Sequence, residues 1–469
     1  MAEKPPTAVH DPYVLTPDEV RDPPPTLGLA LRKIGPGMIL AASIVGTGEL
    51  IATTHAGAKA GFAILWLVIL SCFIKVFVQI ELGRHAVSSG ETTLASFARL
   101  PGPGRLFTWW WFFMMLTTQA QISAMIGGVG YVIHLTLPGV AGDLARPAIP
   151  WAVLVAVLTA LLLVFGTYRL IERSMTALVV LFTVLTVACV VLLPFNEEYA
   201  FGWDDLAGGL SFHIPAEAAV IAAAMTMIGI TGVGASELVS YPYWCIEKGY
   251  ARNVGPKDGS DAWLGRARGW LRVMMLDAWV SFVVYTFATL AFFILGAAVL
   301  HAGGSRGLPN SVGGLLESLT GMYAPVLGPE AAKIFIMVGA FAVLYSTLVA
   351  ATAANSRIAT DFLRVNGFIA PRGPRERFRW VQGFCVGLMT LGLTLFLFFP
   401  DPVYMVMVGG FAQALTLPMI AAAAIYMRYR RTDRRLTPGL VWTVLLWLSL
   451  LAFVAAAAYG VWSQLKDLR

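Results

Sequence analysis

Apolar residues in this chain come in long runs. The runs cover approximately residues 36–57, 61–83, 106–135, 148–167, 174–194, 216–246, 273–301, 331–354, 380–399, 403–427 and 438–463. Crossing the hydrocarbon core of a bilayer takes about 20 apolar residues in a helix. The pattern therefore predicts an all-α polytopic membrane protein of eleven membrane helices, numbered here as spans 1 to 11.

Two of these spans share a signature. Span 1 contains Val45-Gly46-Thr47-Gly48-Glu49-Leu50, and span 6 contains Val233-Gly234-Ala235-Ser236-Glu237-Leu238. An offset of five spans means that the two copies enter the membrane with opposite orientation, the mark of inverted-topology repeats. The expected layout is a 5+5 inverted repeat with discontinuous helices 1 and 6. Residues 35–194 form the first repeat (spans 1–5) and 216–428 the second (spans 6–10). An outer acidic loop, 195–215, lies between them, and 429–469 adds one extra C-terminal helix. Small residues weaken a helix, by about 1 kcal/mol for Gly relative to Ala. Backbone groups freed at mid-membrane are tolerated only where they are buried in protein or line a polar cavity. A carboxylate there is costly in lipid and reads as functional. Each segment is thus expected to be a break, with Glu49 and Glu237 meeting in one site beside Gly46, Thr47, Gly234 and Ser236.

Composition supports the class. Hydrophobic residues make up 58% and charged residues 13% of the chain, against roughly 25% charged in soluble domains. The net charge of +6 does not point to nucleic acid, because its distribution follows the positive-inside rule. With the N-terminus inside, the outer connections keep only Lys59, Arg146, Arg306, Lys333, Lys466 and Arg469. Residues 1–34 then form a cytosolic tail, Pro-rich and disordered in its first part, and the C-terminus lies outside. The implied location is a bacterial inner membrane. Four single cysteines, Cys72, Cys189, Cys245 and Cys385, suggest neither disulfides nor zinc. No cofactor is expected.

Other polar residues in the spans have two readings each. Lys75, in span 2, either snorkels or pairs with Glu81, or else reaches the site and neutralises one carboxylate. His55 either lines an outer vestibule or packs. Asp277 is expected to pair with the nearby basic loop. The run Trp109-Trp110-Trp111-Phe112-Phe113 reads as an interfacial aromatic belt, and the basic loop Arg357 to Arg379 as favouring anionic lipid.

Three places resemble the Nramp family (natural resistance-associated macrophage proteins), proton-coupled importers of manganese and ferrous iron. The first is Gly35-Pro36-Gly37, followed after eighteen residues by Ala56-Gly57-Ala58, then Gly61 and Leu65-Trp66. The second is Ile228-Gly229-Ile230-Thr231-Gly232, and the third is Leu417-Pro418 in span 10. The resemblance implies the inverted-repeat fold of sodium-coupled amino-acid transporters, with Gln413 and Thr416 facing the site. The chain also departs from the family. Gly46-Thr47-Gly48-Glu49 replaces Asp-Pro-Gly-Asn, and approximately Ser236-Glu237-Leu238 replaces Met-Pro-His. The acidic proton-route pair is matched by Gln121 and Ala124, and span 9, from Trp380 to Phe399, carries no charge in its apolar stretch. The pattern is similar to that of the Nramp-related magnesium transporters.

The expected function is transport of a small cation across the lipid bilayer. Oxygen ligands suit magnesium, calcium and manganese, so the first expectation is a hard divalent cation, with Glu49 and Glu237 as its ligands and no obligatory proton coupling. An organic cation or amine, or another small solute, is the alternative, and a membrane sensor is a remote one. An enzyme is not expected, because no HExxH or GxSxG motif occurs.

Overall fold

A computed structural model describes residues 11–102, 104–137, 148–165, 168–305 and 307–467. Lys4, Arg146, Arg306 and Arg469 lie outside the described residues, as do the side chains of Arg169 and Arg173. Among the described residues the fold is entirely helical, and ten runs are long and apolar enough to cross a membrane. The first run, Gly48–Ser89, joins the second half of span 1 to span 2 through a turn at Gly61, whose φ is +58°. Span 1 is thus the broken helix Pro36–Ile44 (1a) and Gly48–Ala60 (1b), followed by span 2 (Leu65–Ser89) and span 3 (Gly104–Thr136). Spans 4, 5 and 6 follow as Ala148–Phe165, Tyr168–Leu192 and the broken pair Ala218–Ile230 (6a) and Ala235–Glu247 (6b). Spans 7 to 11 are Asp261–His301, Pro329–Val365, Pro374–Phe398, Pro402–Arg430 and Leu440–Asp467.

Contacts between glycines and neighbouring backbones fix how the spans lie. Gly37 abuts Asp277, and Gly57 abuts the Phe293 carbonyl, so spans 1 and 7 run parallel. Gly83 abuts Met274, so span 2 runs antiparallel to span 7. Gly229 of span 6a meets the Gly410 carbonyl of span 10, where no side chain fits. Span 11 lies on the outside. Ser449 bonds the Ile74 carbonyl of span 2 at 2.9 Å, while Leu440, Val444, Leu448 and Leu451 stay exposed as a lipid-facing stripe.

Several expectations change at the face that carries the basic loops. Residues 11–25 are not a loose tail but lie across that face. Tyr13 donates to Glu247 at 2.6 Å, the Arg21 amide donates to the Asn253 carbonyl, and Trp270 donates to the Arg21 carbonyl at 2.8 Å. The Arg377 guanidinium stacks on the Tyr13 ring at 3.7 Å. The basic loop is partly self-satisfied: Arg357 pairs with Glu247, and Arg364 and Arg377 pair with the fully buried Asp361. Asp361 also accepts from Thr92 and Tyr243, tying four elements together. Nor is the aromatic run a uniform belt. Trp110 and Phe113 are exposed, Trp111 is fully buried, and Phe112 stacks on Phe362 at 4.4 Å, because one helical turn points successive rings to different faces.

Among the described residues Asp277 makes no direct ion pair with the basic loop, of which Lys248 acts on it only through its field. Its two carboxylate oxygens accept from the Gly35 and Gly37 amides at 2.8 and 2.6 Å, and Tyr241 donates to it at 3.2 Å. The first amides of a helix have no partner within the helix. A carboxylate in span 7 therefore caps helix 1a from outside. Asp277→Ala should lower stability by about 2 kcal/mol or more, read as a fall in the melting temperature of the detergent-purified protein. Asp277→Asn, which keeps an acceptor, should fall less. An unshifted Asp277→Ala melt would refute the cap.

Candidate functional site

Both signature segments are breaks, but each break lies before its Glu. Helix 1a ends at Ile44. The Gly46 amide turns back on the Ile44 carbonyl at 2.6 Å, and the chain resumes at Gly48–Thr53 as a wide π-helical turn. In span 6 the break is Thr231 to Gly234, with Gly232 at φ +60°, and helix 6b starts at Ala235 with Gly234 as its N-cap. The stretch from Gly234 to Glu237 was expected to be unwound. It is the start of a helix, because a glycine N-cap with an acidic residue three positions later is a helix-initiating arrangement. Glu49 holds the same spacing from Gly46.

The two carboxylates do not share a cavity. Glu49 is fully buried and faces spans 6 and 7. Its Oε1 accepts the Gly232 amide at 3.1 Å and lies 3.0 Å from the Thr289 hydroxyl, and its Oε2 has no partner. Glu237 faces the other way. It is half-buried and lines a cavity of about 50 Å³ together with Thr47, Ser236, Ser240, Gln413 and Gln121. No other side chain among the described residues donates a hydrogen bond to its carboxylate. Probe-sized room for a water is about 10–15 Å³, so the cavity takes a few waters or a small solute.

Lys75 decides between its two readings. It is fully buried and donates to the Thr231 carbonyl at 2.6 Å, inside the span 6 break. Glu81 is taken by Arg84 and Arg428 instead, at 3.1 and 3.2 Å. Lys75 therefore reaches the site region. Thr231 O and Gly232 N–H belong to one peptide group, so Lys75 holds its carbonyl end and Glu49 its amide end.

Of the remaining expected residues, Gln413 is in place. Its Oε1 accepts the Ser236 amide at 3.1 Å, and its Nε2 donates to Gln121 at 3.1 Å. Thr416 does not line the cavity. It accepts from the Trp110 indole at 3.1 Å, which directs its hydroxyl toward span 3. Gly46 and Gly234 are not lining groups either. A methyl at Gly46 would collide with Thr347, and one at Gly234 would lie 2.6 Å from the Glu237 carboxylate, so both are places of close approach. Thr347 in turn donates to the freed Ser43 carbonyl of helix 1a at 3.1 Å. His55 packs: its Nδ1 accepts the Leu308 amide at 3.0 Å and so holds the loop after span 7.

The sequence reading missed Thr118, Met125, Ser240, Trp244, Thr347 and Asn355, all on the cavity wall. The polar cluster around Asn355-Ser356 inside an otherwise apolar span 8 was the available signal. Met125 matters most, since it brings a thioether to a site expected to lack sulfur. Among the described residues no group of three or more His, Cys, Asp or Glu side chains could hold a metal ion.

The lining residues Ser43, Ser240, Trp244 and Asn355 place the cavity on the basic-face side of the breaks, with Arg357 stacked on Trp244 at 5.1 Å. The four native cysteines are buried. Ser240→Cys, on the cavity wall, should react with a membrane-impermeant thiol reagent from the basic face, whereas Thr54→Cys, equally buried but off that wall, should not. Equal labelling of both would show that the cavity does not open that way.

Residues 37–463 match the family model described as natural resistance-associated macrophage protein-like, Nramp. A divalent metal cation transporter of Yersinia enterocolitica, MntH, is 24% identical over 382 residues, covering 80% of this chain and 83% of that one. An uncharacterized protein of Pasteurella multocida is 25% identical over 336 residues, covering 71% and 70%. Among solved structures, a mutant of the Eremococcus coleocola manganese transporter superposes with a TM-score of 0.69 at 16% identity, covering 97% and 92%. Mhp1, a nucleobase-cation-symport-1 family transporter, gives 0.57 at 14% identity, covering 96% and 95%. These two likenesses concern the fold.

Proposed function

Because the chain belongs to the Nramp family, we propose that it is a secondary transporter, not an enzyme, that carries a small hard cation through the cavity at the breaks of spans 1 and 6. The observation that carries this reading is Glu237: a carboxylate on a cavity wall of neutral hydroxyl and amide groups, bonded by no other side chain among the described residues, with Lys75 acting on it only through its field. Magnesium and manganese suit oxygen ligands, and magnesium is usually bound through one or two carboxylates while keeping several waters. The cargo is a divalent cation that stays partly hydrated, held by Glu237 with Thr47, Ser236 and Gln413 around it. Glu49 is an anchor for the backbone and not a direct ligand. The curated relative of Yersinia enterocolitica is a divalent metal cation transporter by name, which agrees with this choice. The basic face is cytoplasmic and the chain sits in a bacterial inner membrane, its N-terminus inside and its C-terminus outside, in keeping with the charge bias.

A second reading rests on a specific observation. Lys75 and Glu49 hold opposite ends of one peptide, and Lys75 acts electrostatically on both Glu49 and Glu237, so two carboxyls and one amine leave at most one net negative charge. A small organic monocation would balance that charge fully, with Trp244 and the apolar wall packing its carbon atoms.

An ion panel on proteoliposomes separates the two. Magnesium and manganese should compete with each other for uptake, methylammonium should not, and Glu237→Gln should reduce uptake roughly tenfold or more. Competition by methylammonium alone would favour the organic cation. Cadmium should compete weakly, and Met125→Leu should remove that competition while sparing magnesium.

Coupling gives a further test. Gln121 is held by Gln413, and an amide neither takes up nor releases a proton near neutral pH. Uptake should therefore proceed without proton entry. A pH-sensitive dye inside the vesicles, at fixed membrane potential, should stay unchanged during uptake. Acidification that tracks cation entry would overturn the uncoupled reading.

A further inference from the structure

The cluster on the far side of the breaks, between spans 1, 2, 6 and 7, is not explained by cargo binding. Lys75 Nζ lies 2.6 Å from the carbonyl that ends helix 6a, Thr231 O. The Gly232 amide of the same peptide bonds Glu49, and Glu49 also meets Thr289. The Cys72 thiol and the Tyr285 ring pack against Gly232, and Tyr285 OH and Glu49 Oε2 are buried without a hydrogen-bond partner. In transporters built on broken helices, carbonyls at the C-terminal ends of half-helices coordinate the coupling cation. Here such a carbonyl is occupied by an ammonium that the chain itself supplies.

We propose that Lys75 is a built-in cation, fixed where a carrier of this architecture would otherwise take up a co-transported monovalent ion. It keeps the span 6 break open and Glu49 withdrawn from the cavity, so cargo moves without sodium. An ammonium has three donors, and one strong acceptor is already in place. Without Lys75, Thr231 O, the Glu49 carboxylate and Thr289 Oγ would form an oxygen cage of net negative charge. That cage suits a sodium ion or a primary ammonium.

The inference rests on the transport reading only for its uptake arm, and its thermal arm is independent of it. Full-length wild type, Lys75→Ala and Lys75→Met are purified, and melting temperature and manganese uptake are followed in choline medium. Additions are sodium, propylammonium (the part of the side chain that Lys75→Ala removes) or tetramethylammonium. Wild type should be indifferent to all three. Lys75→Ala should melt several degrees lower and lose uptake roughly tenfold or more. Sodium or propylammonium should restore both, and the bulkier tetramethylammonium neither. Lys75→Met, which fills the space without charge, should fold, fail to transport and resist rescue.

The proposal is overturned if Lys75→Ala and Lys75→Met transport like wild type in choline, if wild-type uptake rises with sodium, or if no cation shifts the Lys75→Ala melt. If wild type shows no manganese uptake at all, the cargo reading falls while the thermal rescue still decides the role of Lys75. If Lys75→Ala is not recovered from the membrane, Lys75→Met and the wild-type ion replacement decide.

Discussion

A backbone break inside a bilayer protein frees peptide groups that have no water to turn to, and each unsatisfied group costs several kcal/mol. In this molecule the peptide joining Thr231 and Gly232 meets that constraint with two ionisable side chains, the Lys75 amine at its oxygen and the Glu49 carboxyl at its nitrogen. Neither would be tolerable as a lone ion in the interior, where desolvation costs several kcal/mol per ion. Bridged through a peptide whose dipole runs between them, they become a buried pair. The rest of the site follows from that pairing. Glu49 is drawn away from the cavity, Glu237 is left to face it, and two matched motifs end up with different tasks.

The same constraint explains the neighbours of the other freed groups. Asp277 of span 7 takes the amides that open helix 1a, and Thr347 of span 8 takes the carbonyl of Ser43 near its end. Gln413 of span 10 takes the Ser236 amide at the start of helix 6b. Each half-helix is therefore held by side chains from spans outside its own. A half-helix can shift only by exchanging those partners, which sets discrete positions in place of a continuous range. The arrangement suits alternating access by movement of elements around a fixed site. On the basic face, Tyr13, Glu247, Arg357 and Trp244 form a contiguous chain of contacts that links the N-terminal segment to the cavity wall.

The runs of apolar residues and the duplicated VG-small-small-EL segment were enough to read the spans, the repeat and the broken helices, because those depend on local pattern and on bilayer thickness. What the pattern could not carry was direction. A Gly with an acidic residue three positions on marks the beginning of a helix, and reading it as the middle of a break moved the unwound peptide of span 6 by about three residues. It also aimed both Glu side chains at one point. Lys75 bonds a residue 156 positions away, and Asp277 bonds glycines about 240 positions away. Nothing local in either sequence window distinguishes such a partner from a charged loop nearby. Gln413 and Thr416 differ by less than one helical turn. Yet one reaches Ser236 and the other Trp110, since a rotation of about 60° separates positions three apart on a 3.6-residue helix.

The partition of charge bears on what such a site can hold. A cage that strips a dication of its waters needs several anionic oxygens converging on one point, and here one carboxylate converges with neutral donors and acceptors. The interaction available to a bare dication is then too small to repay its dehydration, whereas a hydrated one can bond Gln413, Thr47 and Ser236 through its own water. Water-mediated bonds are nearly as favourable as direct ones and cost little immobilisation entropy. For such a cargo, selectivity would come from the size of the partly hydrated ion against a cavity of about 50 Å³ and from the thioether of Met125 on its wall. On the proposed function, the loss of one carboxylate to backbone support would shift the site from coordination chemistry toward recognition of a hydration shell.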